Sequence, residues 1–147
     1  MLAVCQRYTG SRETARDIVQ DGFVVLFEKI GTYAGTGSFE GWARKIFVNM
    51  SLSYLRRNDA LRYSEPIENT TGRSVTTGLI LENISANDIL RCLEQMPYGF
   101  RTIFNMYAIE GYSHNEIAKL LDISESTSRS QYSRARSWLQ NKLNDLK

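Results

Sequence analysis

Short hydroxyl side chains and arginines crowd together in the stretch "SESTSRSQYSRAR", which runs from Ser124 to Arg136. A helix that enters a DNA major groove, about 12 Å wide, needs short side chains that hydrogen-bond phosphates and base edges. Arginines are long enough to reach guanine edges or phosphates. This chemistry is binding, although a solvated polar face on an amphipathic helix would contain the same residue types. The candidate contacts to duplex DNA are Ser126, Thr127, Arg129, Ser130, Ser133 and Arg134.

A second group of candidate contacts lies in "YAGTGSFEGWARKIFVNM", where aromatic and basic residues interleave. Tyr33, Phe39 and Trp42 are able to stack on unpaired bases, while Arg44 and Lys45 would hold phosphates. The alternative is structural. Phe39 and Trp42 fall on the apolar stripe of a helix, and by spacing alone that position favours the core, with the two bases on an ordinary exposed face.

The residue types that usually carry catalysis are scarce and scattered. Cys5 and Cys92 have no metal or redox spacing, and their apolar surroundings predict buried thiols. His114, the only histidine, is expected in the first turn of a helix and exposed to solvent. No nucleophile has a base at a suggestive spacing. The sequence therefore predicts a protein that is not an enzyme and has no metal site and no cofactor.

The elements that must position the first group resemble a helix-turn-helix. Ser113 and Glu116 have the spacing of a capping box, which predicts the start of a short helix. Its apolar side chains face inward, and residues 122–124 form the turn. The second helix then begins at Ser124 or Glu125 with its N-terminal turns free to enter a major groove. A two-helix packing corner without DNA binding is the alternative.

Two further helices are predicted in the first part of the chain. "TARDIVQDGFVVLFEKI" repeats apolar residues at spacings of three and four, and Thr14 followed by Asp17 is a start signal. "SFEGWARKIFVNMSLSYLRR" is expected to be capped by Ser38. The apolar stripes are Ala15, Ile18, Val19, Gly22, Phe23, Leu26 and Ile30 in the first, and Phe39, Trp42, Ala43, Ile46, Phe47, Met50 and Tyr54 in the second.

The remaining sequence completes an all-α interpretation. Residues 58–84 show no sustained period and predict a linker, and four helical segments follow it. The first starts at Ser85, capped against Asp88, and stops at Pro97. The second has Gly111 as its end and the apolar face Phe100, Ile103, Phe104 and Tyr107. The last runs from about Glu125 to the C-terminus, with apolar residues at helical spacing: Tyr132, Ala135, Leu139, Leu143 and Leu146. We expect two small helical domains, 1–57 and 85–147, the second with the helix-turn-helix. "MLAVCQRYTG" lacks the basic region of a signal peptide, and no apolar run is long enough for a membrane span. A cytoplasmic location without membrane insertion is expected.

The two halves together resemble the sigma factors of bacterial RNA polymerase, in the small two-domain extracytoplasmic-function group. "ARDIVQDGFVVLFEKI" is similar to the helix that binds the polymerase clamp. "YAGTGSFEGWARKIFVNMSLSYLRR" is similar to the promoter-melting segment, and "EIAKLLDISESTSRSQYSRARSWLQNKL" to the helix-turn-helix that reads the minus-thirty-five element. The three matches occur in the family's order and cover nearly the whole chain. The resemblance implies a promoter-specificity subunit whose partners are core RNA polymerase, promoter DNA and an anti-sigma factor.

The resemblance also implies roles for particular residues. The family's clamp-binding positions match Asp17, Gln20 and Asp21. The minus-thirty-five contacts fall on Arg129, Ser130, Ser133 and Arg134. The capture of flipped minus-ten bases falls to the "AGTGSF" loop and to Trp42, with Arg44, Lys45 and Asn49 near the strand.

Three departures from the family pattern stand out. The family usually has another helix's worth of residues before "RYTG", so we expect a truncated or late-assigned start and a first domain that lacks a packing helix. Asp122 stands where the turn favours glycine, and Ser128 stands where an apolar residue packs, which predicts looser seating of the second helix. Two other function classes remain open: a free-standing helix-turn-helix repressor or activator, and a protein that serves only as a helical docking surface.

Overall fold

The structure is a computed structural model that describes residues 1–58 and 85–145. The chain divides into two compact units, Met1–Tyr63 and Ser64–Lys147. Within the described ranges every regular element is helical, as the sequence predicts. The linker predicted over residues 58–84 lies, apart from Asn58, outside the described residues. So does Leu146, which was expected on the apolar stripe of the last helix. No helix in the described parts is both long and apolar enough to cross a membrane.

In residues 1–58, the first unit consists of three α-helices, each packed on the other two. They are α1 (Leu2–Thr9), α2 (Arg12–Lys29) and α3 (Phe39–Arg57), and a single 3-10 turn (Ile30–Thr32) follows α2. Helix α1, which was not predicted from the sequence, is short and ends at a left-handed glycine, Gly10. The prediction that α2 starts at Thr14 is wrong. Ser11 caps α2, because its Oγ accepts a hydrogen bond from the Thr14 amide at 3.3 Å.

Ser38 caps α3 as predicted, but the buried face of α3 is rotated from the predicted stripe. The Ser38 hydroxyl accepts a hydrogen bond from the Gly41 amide at 3.3 Å. Phe39 and Tyr54 were expected on the apolar face and are 44% and 36% exposed. Helix α3 packs on both α1 and α2. In the C-terminal half of α3, the buried residues are therefore different from those of the predicted stripe. The buried residues of α3 are Ala43, Phe47, Val48, Ser51, Leu52 and Leu55.

Gly22 of α2 lies against Phe47 of α3, with no room for a side chain between them. A Cβ built on Gly22 would lie 2.6 Å from Cδ1 and 3.3 Å from Cζ of Phe47, a ring that is fully buried. Phe23 packs edge-on against the same ring, with centroids 5.3 Å apart. Phe23 and Ile30 nevertheless remain 44% and 49% exposed, so their predicted place in the buried stripe of α2 is wrong.

The second unit, over its described residues 85–145, contains four α-helices, which match the four helical segments predicted. They are α4 (Ala86–Gln95), α5 (Tyr98–Phe104), α6 (His114–Leu121) and α7 (Glu125–Asp145). Complete capping boxes start α4 at Ser85 and α6 at Ser113, as the spacing predicts. The core is formed by residues of α4, the start of α5 and the C-terminal half of α7: Cys92, Leu93, Met96, Phe100, Ala135, Leu139 and Leu143. Both cysteines of the chain are buried, as predicted.

The predicted helix after Pro97 does not continue as an α-helix. A π turn (Asn105–Ile109) extends α5, and the Glu110 amide donates to the Asn105 carbonyl at 2.9 Å. This wider turn directs Tyr107 out of the predicted apolar face, so that its side chain is 38% exposed. The segment ends at Gly111, whose φ of 77° ends the helix as expected.

Candidate nucleic-acid interface

Helices α6 and α7 form a helix-turn-helix around the predicted turn. Asp122 has φ 56° and ψ 50°, the left-handed conformation that glycine usually supplies. The next amide, that of Ile123, donates to the Ala118 carbonyl at 3.0 Å. Ser124 then starts α7, because its Oγ accepts a hydrogen bond from the Thr127 amide at 3.0 Å. A non-glycine residue therefore forms the same turn, and Ser124 caps the start of α7.

All six side chains that the sequence analysis placed on duplex DNA are exposed on α7. At 100° per residue they fall within a sector of about 160°. Three of the four hydroxyl side chains among them already take part in local hydrogen bonds. Ser126 and Thr127 hydroxyls each lie 2.8 Å from Ser124 Oγ, and Ser130 donates to the Thr127 carbonyl at 3.0 Å. The hydroxyl groups of Ser126, Thr127 and Ser130 are therefore held by local hydrogen bonds before any ligand is bound.

Arg129 forms an ion pair with Glu125, one turn earlier on α7. The hydrogen bond from Arg129 is the largest cause that lowers the pKa of Glu125. The carboxylate therefore stays ionised and holds the guanidinium on the exposed face. Contact with a phosphate or a guanine edge requires Arg129 to exchange this partner for the nucleic acid or to bind both. Arg134 lies about 140° from Arg129 around the helix, toward the opposite edge of the same exposed sector, and is also exposed.

His114 and Ser128 are both buried, and the expectation that His114 is exposed is wrong. His114 is 9% exposed and Ser128 is fully buried. His114 Nδ1 lies 2.9 Å from Ser128 Oγ, which joins the start of α6 to α7. Burial lowers the pKa of His114, and the Arg129 guanidinium lowers that pKa further against the opposing effect of Glu125. The polar residue at position 128 is thus paired inside the unit, and it does not leave α7 loosely seated.

An aromatic cluster covers the start of α3 in the first unit. The rings of Tyr33, Phe39 and Trp42 lie with centroids 5.4 to 5.6 Å apart. Tyr33 donates its hydroxyl hydrogen to the Gly37 carbonyl at 2.8 Å, which holds the intervening loop against the cluster. Phe39 is 44% exposed and Trp42 is half-buried. The core alternative therefore fails for Phe39, while Trp42 is partly core and partly surface.

The polar residues predicted beside Trp42 do not all share its face of α3. Lys45 and Asn49 are exposed and follow Trp42 by three and seven residues, so the three side chains lie on one face. Arg44 lies roughly 160° away around the helix. It pairs with Glu40 at 3.0 Å between Nη2 and Oε1. The structure thus brings Lys45 and Asn49 together with the aromatic cluster and places Arg44 on the other side.

The exposed face of α2 contains more than the three predicted polar residues. Asp17, Gln20 and Asp21 are all exposed. Val24 and Phe27, which continue this face at helical spacing, are 58% and 67% exposed. The sequence analysis did not assign them a role. The available signal was their position outside the buried stripe of α2, since large apolar residues off that stripe must meet solvent or a partner.

The described residues contain no group of three or more His, Cys, Asp or Glu side chains able to hold a metal ion. The side chains exposed on these surfaces support hydrogen bonding, ion pairing and stacking. Hydroxyls and arginines on α7, rings and bases on α3, and carboxylates beside apolar side chains on α2 form three surfaces with different ligand preferences.

Comparison with known proteins identifies two family models in the order expected. The model described as Sigma-70 region 2 matches residues 1–61, and the model described as Sigma-70, region 4 matches residues 86–139. The ECF RNA polymerase sigma-E factor of Escherichia coli (strain K12) is 25% identical over 99% of this chain and 82% of its own length. That of Haemophilus influenzae is 26% identical over 92% of this chain and 78% of its own length.

A solved structure shares the fold. The sigma factor RpoE from Bartonella quintana, in complex with the anti-sigma factor NepR, superimposes with a TM-score of 0.62 at 20% identity, over 97% of this chain and 89% of that one. The two region models belong to one family, occur in that family's order and together span most of the sequence. The relatives named above are sigma factors as well, and this chain spans most of their length. The chain therefore belongs to the sigma-70 family of RNA polymerase sigma factors, in the extracytoplasmic-function group.

Proposed function

We propose that this sigma factor uses three separate surfaces to direct core RNA polymerase to promoters and to help open the DNA. Residues 1–57 form the domain for polymerase and the minus-ten element, residues 85–147 form the domain for the minus-thirty-five element, and residues 58–84 join them. The subunit supplies binding and no catalytic group, and it works in the cytoplasm, where the polymerase is.

In the second domain, α7 reads duplex DNA of the minus-thirty-five element. The observation that supports this proposal most strongly is the common exposure of Arg129, Ser130, Ser133 and Arg134 at the N-terminal part of the second helix of a helix-turn-helix. Arginines supply bidentate contacts to guanine or charged contacts to phosphate, and the short hydroxyls let the helix approach the groove closely. Ser126 and Thr127 are placed for backbone phosphates at the start of the helix.

In the first domain, the aromatic cluster of Tyr33, Phe39 and Trp42 receives unpaired bases of the minus-ten element. Unstacking a base costs a few kcal/mol, and stacking on an aromatic side chain returns about 1–3 kcal/mol per base. Lys45 and Asn49 lie on the same face and would hold the strand. Arg44, on another face and paired with Glu40, contributes less to this surface.

On α2, the surface formed by Asp17, Gln20, Asp21, Val24 and Phe27 binds the clamp helices of core polymerase. Carboxylates and an amide beside two well-exposed apolar side chains suit a helical partner that is both basic and apolar. The relative from Bartonella quintana is bound to the anti-sigma factor NepR. We propose that an anti-sigma factor regulates this chain as well, and that it covers exposed apolar side chains of this kind until it is released.

In vitro transcription with core polymerase and a pool of genomic fragments tests the function directly. The expected result is a restricted set of transcripts that depend on this chain and share two spaced elements. A gel shift with the selected duplex should show weak binding by the free chain and strong binding by the holoenzyme. Tight binding by the free chain, with no transcripts added in the presence of core polymerase, would instead support a free-standing DNA-binding regulator.

A further inference from the structure

The contact between His114 and Ser128 is an unusual way to seat α7. Ser128 is fully buried on the side of α7 that faces α6, and its hydroxyl oxygen lies 2.9 Å from His114 Nδ1. A hydrogen bond is directional, whereas an apolar contact permits sliding and rotation. The pair therefore defines the rotation of α7 about its own axis more narrowly than apolar packing at the same position would.

Two tyrosines hold the imidazole in place. The Tyr107 ring, from the π turn, stacks on His114 with centroids 4.2 Å apart and an angle of 14° between the planes. Tyr132, one turn after Ser128 on α7, meets the imidazole edge-on at 5.9 Å and Tyr107 at 4.5 Å. The imidazole is thus confined between α7 and the π turn, with Nδ1 directed at Ser128.

The residues next to Ser128 in sequence are those assigned to DNA. Arg129 and Ser130 follow Ser128 directly, and one residue corresponds to a rotation of about 100° around a helix. A rotation of α7 by even a fraction of that angle would move these side chains away from the groove. We propose that His114, through its hydrogen bond to Ser128, positions α7 for reading duplex DNA. This inference rests on the proposed function of α7.

The physical chemistry of the pair makes the two residues interdependent. Removing one partner leaves the other buried without its hydrogen bond, whereas removing both leaves an apolar contact that is nearly neutral. The double change should therefore weaken DNA binding by less than the sum of the two single effects.

The charged groups that face the imidazole are Glu125 and Arg129, both on α7, and the titratable rings are Tyr107 and Tyr132.

The test uses holoenzyme reconstituted from the full chain and core polymerase. The probe is a promoter duplex that the parent holoenzyme selects from genomic fragments, prepared with its upstream element either intact or scrambled. The measured quantity is the ratio of the two affinities, taken well below the melting temperature of each variant. Ser128→Ala should reduce this ratio about tenfold. Ser137→Ala is the matched control, since Ser137 bonds only to the Ser133 carbonyl of its own helix, and it should leave the ratio unchanged.

Two substitutions of His114 separate positioning from packing. His114→Asn keeps a polar group close to the place of Nδ1 and loses the stacked ring, whereas His114→Phe keeps the ring and loses the hydrogen bond. Positioning through Ser128 requires the Asn variant to retain more discrimination than the Phe variant. The opposite order would overturn the proposal, and this comparison also decides the matter if Ser128→Ala fails to fold.

Further outcomes distinguish this inference from the proposed function. If Ser128→Ala melts at a lower temperature but keeps the parent ratio, the pair is only structural and the inference is wrong. If Arg129→Ala loses discrimination while both Ser128→Ala and His114→Phe retain it, the inference fails and the proposed function stands. A parent ratio of one would overturn both. The double change His114→Phe with Ser128→Ala should have a ratio closer to the parent than the product of the two single effects.

Discussion

The substitution Gly22→Ala probes the contact on which the first unit is built. A methyl group at this position would lie 2.6 Å from Cδ1 of Phe47 and closer still to Cε1. Carbon atoms in ordinary contact are about 3.5–4.0 Å apart. Phe47 is fully buried and has Phe23 edge-on against it, so its ring has little room to withdraw. Helices α2 and α3 must therefore separate, or the ring must leave its preferred rotamer.

The expected magnitude follows from two opposing effects. Overpacking a well-filled core costs about 1–3 kcal/mol, and the large overlap at Phe47 places this site near the upper end. Alanine in place of glycine inside a helix returns about 1 kcal/mol. The net loss in the free energy of unfolding is then about 2 kcal/mol. For a domain of this size each kcal/mol corresponds to about 4–8 °C, which predicts a melting temperature lower by about 8–16 °C.

The chain offers a clean reporter for this measurement, because it has two tryptophans, one in each unit. In a Trp138→Phe background, thermal unfolding followed by tryptophan fluorescence reports on Trp42 and hence on the first unit. Gly41→Ala is the matched control, since the nearest atom to a Cβ at Gly41 is Ser38 Cβ at 3.8 Å. That variant should be as stable as the parent or more stable by up to about 1 kcal/mol.

The reasoning would be refuted if Gly22→Ala melted at or above the temperature of the parent. Such a result would mean that α2 and α3 adjust at no cost, and that the close approach at Gly22 is not a constraint on the fold. A loss of the same size in Gly41→Ala would show that the experiment reports on the removal of glycine itself and not on the contact with Phe47.

Three further predictions concern the other surfaces. Arg129→Ala with Arg134→Ala should abolish transcription from promoters that need the upstream element while leaving association with core polymerase unchanged; undiminished transcription would exclude these residues as contacts. Asp17→Lys with Asp21→Lys should weaken association with core polymerase in a pull-down, for which the arginine double variant is the control, and unchanged recovery would contradict the clamp assignment. Folding favours neutral His114, whose pKa is lowered. The stability it contributes should be complete above about pH 6.5 and lost as the pH falls through its lowered folded pKa. Melting of the second unit at several pH values should show this dependence, and His114→Phe should not.

The parts of the fold that depend on residues close together in the sequence could be predicted. The capping boxes at Ser85 and Ser113 and the cap at Ser38 are local signals, and each is present in the structure. The burial of Ala135, Leu139 and Leu143 follows from helical spacing, and the exposure of the opposite face of α7 follows with it. The three candidate surfaces could be located for the same reason.

What could not be predicted depends on contacts between elements. The buried face of α3 changes along its length because α1 packs on it as well as α2, and a single stripe assigned by period does not contain that information. Burial of His114 required knowledge of two partners distant in sequence, Ser128 and the ring of Tyr107.

The π turn between α5 and α6 has a consequence for how length variation should be judged in this protein. Such a turn holds one more residue than an α-helical turn, and here it directs Tyr107 toward the imidazole of His114. Deleting a single residue between Asn105 and Ile109 would allow an ordinary α-helical turn to form and would change the position of Tyr107 against the imidazole. Through the positioning role that we propose for His114, a deletion outside the helix-turn-helix would then affect promoter choice, as we propose for substitutions on α7.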